Sequence, residues 1–294
     1  MTIRELLNAP AATLSYELFP PRTPAAELAL WDTIAKLATT APDFASITYG
    51  ASGSTRGTSR AVVKRLAEEH TIPPLAHLTC VDQSRAEVTA VIEEFMAEGV
   101  RDFLALRGDP PAGQVDWTPH PDGLLYASDL VRLIRDVAAA HGIDNLSVGV
   151  TAFPAQHAQE QWRQQGLDVL KAKQDAGADF AVTQVFYDGA QWEALATDAR
   201  AEGIGLPILP GIIALPNAAR AARLEQLTGV PAPASTVDAL LAAGEDPDAA
   251  RAVGVATAAA LARDLLDRGA PGIHIYTFNK HQAALELVKA IGHR

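Results

Sequence analysis

Eight short runs of β-branched and other apolar residues recur along the chain, at 14–18, 44–48, 75–79, 103–106, 147–151, 180–184, 208–210 and 273–276. Between them lie longer stretches rich in Ala, Leu, Glu and Arg, such as 84–98 and 124–141, with apolar residues at helical spacing. A strand followed by a helix, eight times over, is the count that closes a parallel (β/α)8 TIM barrel, in the α/β class. The competing arrangement, an open doubly wound sheet, usually has fewer strands and a glycine fingerprint after the first. Here the first run leads instead into Phe19-Pro20-Pro21. Gly99, Gly142, Gly177 and Gly203 stand where a helix should stop ahead of the next strand. The pattern predicts a single barrel over 1–294. Its one irregularity is a Pro- and Ala-rich stretch from Gly229 to Pro247, read as a short helical insertion near 230–247 (helix at about 235–243) before a long helix over 247–269.

Composition limits the partners. The 294 residues are 48% hydrophobic, enough to bury a large core. The net charge is −11, from 35 acidic and 24 basic residues, with no basic stripe, which argues against nucleic acid. No stretch approaches roughly 18 uninterrupted apolar residues, so no membrane span is expected. The opening MTIRELLNAP lacks the apolar run of a signal peptide. One cysteine, Cys80, fits a reducing compartment. The expectation is a cytoplasmic protein of unspecified oligomeric state.

In a β/α barrel the reacting groups come from the C-terminal ends of the strands. Those ends deliver Glu17, Thr48-Tyr49-Gly50, His77 with Thr79, Arg107-Gly108-Asp109, Thr151-Ala152-Phe153, Gln184, Pro210-Gly211 and Tyr276-Thr277, the last leading to Asn279-Lys280. A Schiff-base aldolase would need a lysine inside the barrel. The lysines here fall on expected helices or, for Lys280, in the final loop. The eight histidines are scattered and no strand carries a His-x-His pair, so no metal site is expected. The remaining set suits a flat heteroaromatic ligand. Asp and Gln side chains can each pair with an amino-pyrimidine edge, and small residues let a ring lie against backbone. Glu17, buried after an apolar strand, could stay protonated near neutral pH and act as a general acid.

These residues carry a resemblance. The chain resembles the methylenetetrahydrofolate reductases over nearly its full length. The matching segments are Ser15-Tyr16-Glu17-Leu18-Phe19-Pro20-Pro21, Pro42-Asp43-Phe44-Ala45-Ser46-Ile47-Thr48-Tyr49-Gly50-Ala51, Ala76-His77-Leu78-Thr79-Cys80, Leu104-Ala105-Leu106-Arg107-Gly108-Asp109-Pro110-Pro111, Tyr126-Ala127-Ser128-Asp129-Leu130, Asp175-Ala176-Gly177-Ala178-Asp179-Phe180 and Thr183-Gln184. The resemblance implies reduction of 5,10-methylenetetrahydrofolate to 5-methyltetrahydrofolate with a nicotinamide nucleotide. NADH is the family preference, and NADPH stays open because no ribose-phosphate pocket is legible. It implies that Glu17 protonates the folate amine and that Asp109 and Gln184 hold the pterin edge. Lys280, where the family often has arginine, and Arg220 would meet the folate tail. Leu224 falls where some bacterial members carry a stacking aromatic.

The resemblance also implies FAD as hydride relay, and here the match is incomplete. Thr48, His77, Arg107, Tyr126, Ala127, His157 and Lys173 fall at flavin-contacting positions, with Gly108 in the same turn and Phe153 in place of a tyrosine. The next helix departs, reading Gly166-Leu167-Asp168-Val169-Leu170-Lys171-Ala172-Lys173. Positions 166, 169 and 173 share one helical face. The family uses that face to hold the flavin's polar arm, and Gly166 and Val169 lose two of its hydrogen-bonding side chains. Such losses would weaken FAD by roughly ten- to several-hundred-fold if they add, which leaves direct hydride transfer from the nicotinamide open. Two rival readings also stay open: a non-catalytic folate- or nucleotide-binding paralog, and an FAD-dependent barrel oxidoreductase acting on another cyclic amine.

Overall fold

The computed structural model describes residues 1–49, 56–109 and 118–292. Gly50, Ala51, Pro110 and Pro111 of the motifs above lie outside the described residues. Nine strands are present among the described residues: β1 (Thr13–Leu18), β2 (Phe44–Ile47), β3 (Pro74–Thr79), β4 (Asp102–Leu106), β5 (Ser147–Ala152), β6 (Phe180–Thr183), β7 (Ile208–Leu209), β8 (Gly211–Ile212) and β9 (Gly272–Tyr276). The helices are α1 (Ile3–Leu7), α2 (Pro24–Ala38), α3 (Arg56–Glu69), α4 (Arg85–Ala97), α5 (Ala127–Ala140), α6 (Pro154–His157), α7 (Glu160–Asp175), α8 (Gly189–Ala201), α9 (Ala218–Thr228), α10 (Ala234–Ala242), α11 (Pro247–Asp267) and α12 (His281–Ile291).

The ladder runs β7-β6-β5-β4-β3-β2-β1-β9-β8, all parallel. Its two ends are halves of one stave. Pro210, which lacks an N–H, splits the expected seventh strand. β7 pairs with β6 through Ala181↔Ile208, and β8 pairs with β9 through Gly211↔His274. β8 is therefore the second half of the seventh stave, and its pairing with β9 closes the barrel. The four glycine stops all sit at positive φ, from 66° at Gly142 to 104° at Gly177.

Period-2 alternation sorts the strand residues into two layers. Leu14, Tyr16 and Leu18 face outward into the cluster shared with the helices. Phe44, Leu75, Leu104, Phe180, Val182 and Leu209 form a second cluster inside the barrel, joined by Ile3 and Leu7 of α1. This N-terminal helix has no counterpart among the sequence expectations. Thr2 caps it in a box with Glu5, and its first amides donate to interior groups: Ile3 to Asp102 Oδ1 at 3.0 Å and Arg4 to Ser147 Oγ at 3.0 Å. Burial raises the Asp102 carboxyl, offset by the Ile3 amide and the Ser147 hydroxyl. The N-terminal end of the barrel is thus stoppered, which leaves the C-terminal mouth for ligands. Among the described residues no helix is long and apolar enough to cross a membrane.

Candidate active site at the barrel mouth

The alternation that sends Tyr16 outward sends Ser15 and Glu17 inward. Glu17 lies in register with Ser46 of β2 and Tyr276 of β9, and its side chain is only 13% exposed. Its neighbours are two histidines, His77 Nε2 at 3.8 Å and His274 Nε2 at 4.0 Å. Among the described residues no lysine or arginine comes within ion-pair distance of Glu17. His77 is buried, and among the described residues its Nε2 has no hydrogen-bond partner. Burial pushes its titration down to about 4; the Glu17 carboxylate pulls it up and His274 pushes it further down. His77 is therefore neutral at neutral pH. His274 is held at both nitrogens, 2.8 Å from the Ser15 hydroxyl and 3.3 Å from the Ser46 hydroxyl.

The eighth stave closes the other side. The Tyr276 hydroxyl donates to the Thr183 carbonyl at 2.6 Å, and burial, then Glu17, push its titration well above the usual phenol value. Thr277 Oγ1 donates to the Glu17 carbonyl at 2.7 Å. Asn279, at φ 56°, clasps the backbone just past Glu17: its Oδ1 accepts from the Phe19 amide and its Nδ2 donates to the Phe19 carbonyl, both at 2.9 Å.

The folate-side candidates fall around this mouth without all converging. Arg107 and Asp109 are exposed at the rim, on a turn whose Gly108 sits at φ 85°. A Cβ at Gly108 would come within 2.6 Å of Val81, so the turn requires glycine on both counts. Gln184 follows β6, half-buried, with its Oε1 accepting from the Val185 amide at 2.8 Å. Arg220 lies 4.8 Å over the Phe278 ring, which stacks on Phe19 with centroids 5.9 Å apart. Lys280 is exposed at the start of α12. Leu224 packs against the same apolar cluster as Tyr276 and Phe278.

The cofactor-side candidates divide into two groups. Thr48 follows β2, its amide donating to the Leu18 carbonyl at 3.0 Å, and His77 stands on β3 beside Glu17, while Tyr126 and Ala127 open α5, the tyrosine 63% exposed. Phe153, His157 and Lys173 instead line a separate cavity of about 280 Å³ beside β5. Lys173 Nζ donates to the Thr151 carbonyl at 2.8 Å, and burial lowers its amine to about 8, still cationic at neutral pH. His157 Nε2 is 2.9 Å from Asp198 Oδ2, which also accepts from Arg163. Gly166 and Val169 complete the wall and offer no hydrogen-bonding side chain. Among the described residues no group of three His, Cys, Asp or Glu side chains could hold a metal ion.

Reading the chain alone missed His274, the serine pair beneath it, the Phe19–Phe278 stack and Trp162 of the cavity. His274 was signalled by its place two residues before Tyr276 on one strand, which puts both on the inner face. The stack joins residues 259 positions apart and has no local signature.

A closed parallel barrel with a shielded carboxylic acid and a neutral histidine at its C-terminal mouth defines a β/α-barrel enzyme. A family model described as methylenetetrahydrofolate reductase matches residues 2–292. The 5,10-methylenetetrahydrofolate reductase of Escherichia coli is 31% identical over 281 residues, covering 96% of this chain and 91% of the relative. The chain belongs to the methylenetetrahydrofolate reductase family and is an oxidoreductase. Methylenetetrahydrofolate reductase 1 of Schizosaccharomyces pombe is 34% identical over 95% of this chain, and methylenetetrahydrofolate reductase (NADH) 1 of Arabidopsis thaliana 30% over 99%. The chain spans 46% and 50% of the length of those two relatives. Among solved structures, an uncharacterized protein from Clostridium thermocellum described as binding two copies of 5-methyl-5,6,7,8-tetrahydrofolic acid shares the fold. Its TM-score is 0.65 at 15% identity, with 99% of this chain and 96% of that one covered.

Proposed function

We propose that this chain reduces the methylene bridge of 5,10-methylenetetrahydrofolate with a hydride taken directly from NADH, with Glu17 as the acid. Glu17 gives its proton to N10 of the folate. The bond from N10 to the bridging carbon breaks, and the carbon is left as an iminium on N5. Hydride from C4 of the dihydronicotinamide adds to that carbon, giving the N5-methyl group and oxidised nicotinamide. Glu17 is left as a carboxylate and regains a proton before the next turnover. Asp109 and Gln184 hold the pterin edge, with the Gln184 amide turning from its Val185 contact to do so. Arg220 and Lys280 meet the glutamate tail, and the Phe19–Phe278 stack borders it.

The observation that carries this reading is the setting of Glu17: a shielded carboxyl at the mouth, whose nearest basic groups are a neutral His77 and a hydroxyl-bonded His274. Among the described residues no lysine or arginine pairs with it, and a carboxyl group at this place can deliver a proton to a ligand in the mouth. The names of the Arabidopsis and Clostridium proteins support NADH and a methylfolate as partners. Flavin independence draws on the α7 face. Val169 is 47% exposed and Gly166 presents open space where the family has polar side chains, so the residues present do not fit a flavin's polar arm.

The test is NADH oxidation by flavin-stripped protein with and without methylenetetrahydrofolate. Oxidation only with the folate is expected. Turnover that returns only with added FAD would replace direct transfer by a flavin relay. No turnover under either condition would make the chain a binding paralog.

A further inference from the structure

A second cavity, of about 400 Å³, lies among the loops that follow β5 and β6 and takes no part in the chemistry at the mouth. α6 stands between it and the cavity beside β5: Gln156 and His157 line that one, Ala155 and Ala158 this one. Its other sides are Tyr187 and Asp188 at the start of α8 and the strap 229–233, Gly-Val-Pro-Ala-Pro, that joins α9 to α10. The walls are mostly apolar, and among the described residues no lysine, arginine or histidine lines them. The Tyr187 hydroxyl is buried and, among the described residues, has no hydrogen-bond partner. Burial, then the Glu225 charge, pushes its titration up to about 12, so it stays an O–H at neutral pH. A buried hydroxyl left unpaired carries a desolvation cost that a ligand can relieve. Two carboxylates stand near it, and among the described residues neither has an ion-pair partner. One is Asp188, whose Oδ1 accepts from the Ala190 amide at 2.9 Å, and the other is Glu225 of α9. An anion would find no counter-charge here. An apolar body with a positive charge finds walls for the one and oxygen acceptors for the other, and aromatic rings such as Tyr187 attract ammonium groups.

We propose that this cavity binds a small primary ammonium with an apolar body of about one ring, the ammonium donating to the Tyr187 hydroxyl oxygen and facing Asp188 and Glu225. Its volume lies within the range of small-molecule sites, roughly 300–1,000 Å³. It shares no lining residue with the cavity beside β5 or with the groups around Glu17. The folate and the nicotinamide nucleotide both carry negative charge, which sets this ligand apart from either. The site is independent of the route that the hydride takes.

The probe is 2-phenylethylammonium, titrated calorimetrically into the whole protein, with 2-phenylethanol as the uncharged counterpart of similar shape. Saturable one-to-one binding of the ammonium, roughly tenfold or more tighter than the alcohol, is expected. Tyr187→Phe removes a hydroxyl that has no partner in the free protein, so the fold should tolerate it while the ammonium binds roughly 10- to 150-fold more weakly. Asp188→Asn keeps a side chain that can cap α8, and Glu225→Gln is at an exposed position of α9. Each should weaken binding by roughly 2- to 5-fold. Ala158→Leu, exposed and in helical backbone at the end of α6, should fill the cavity and abolish binding. A melting temperature near the parent's checks that each variant is folded. Equal affinity for amine and alcohol would overturn the site, as would an affinity that survives both Tyr187→Phe and Ala158→Leu. Binding that never saturates would mean attraction to the acidic surface alone and would overturn it too.

Discussion

His77 Nε2 stands 3.8 Å from the Glu17 carboxylate and, among the described residues, has no hydrogen-bond partner, although it is buried. The two residues come from β3 and β1, with β2 between them, so strand pairing and register and not local sequence bring them together. An unpaired buried acceptor is costly unless something else uses it. The Glu17 carboxyl, rotated toward the ring, would supply the missing partner.

That enclosure makes stability pH-dependent. His77 titrates at about 4 in the folded protein against an ordinary value of 6.5. Between those values the unfolded chain binds the extra proton, so stability is present above 6.5 and is lost as pH falls toward 4. At 1.36 kcal/mol per pH unit the loss approaches about 3 kcal/mol. Denaturant midpoints measured from pH 7 to pH 4 should show this decline, and His77→Gln should flatten it.

Glu17→Gln keeps shape and hydrogen-bonding capacity but removes the proton. Turnover of methylenetetrahydrofolate should fall by roughly a hundred- to ten-thousand-fold, with the KM for NADH unchanged. Steady-state kinetics on the folded variant check this, and substantial residual turnover would remove Glu17 from the acid role.

Gly211→Ala should damage the closing seam. A Cβ there would stand 2.6 Å from the Tyr276 ring and 2.7 Å from the Thr183 carbonyl that Tyr276 binds. Relief requires Tyr276 to move off the Glu17 side of the mouth, at a cost of about 1–3 kcal/mol. A lower melting temperature together with a weaker folate KM is the expected pair of effects.

The barrel was legible because its signals are local: each strand run, helix period and glycine stop lies within one unit. The seventh stave was legible only as a strand. Its split at Pro210 serves two neighbours, β6 and β9, that are distant in the chain. Glu17, Asp109 and Gln184 could be placed at strand ends by alternation and motif. Ser15, Ser46 and His274 looked like ordinary strand residues, because their mutual hydrogen bonds depend on register between β1, β2 and β9. The α1 stopper was invisible for the same reason, since its amides are satisfied by Asp102 and Ser147 across the molecule.

The α7 face can be tested by restoring its polarity. Gly166→Asp enters open space and Val169→Asn replaces an exposed apolar side chain, so neither should disturb folding. The double variant should bind FAD roughly ten- to several-hundred-fold more tightly than the parent. Flavin fluorescence quenching on titration measures it directly, and no gain would mean that this face does not set flavin affinity.

The most direct test of the account follows the transferred hydrogen. The protein as purified, with any flavin it holds, is given NADH carrying deuterium at the transferred C4 position, together with methylenetetrahydrofolate, and the product is analysed by mass spectrometry. Direct transfer predicts one deuterium in the methyl group of every product molecule. Product that forms without the label would contradict it, because the N–H of a reduced flavin exchanges with water before passing its hydride on.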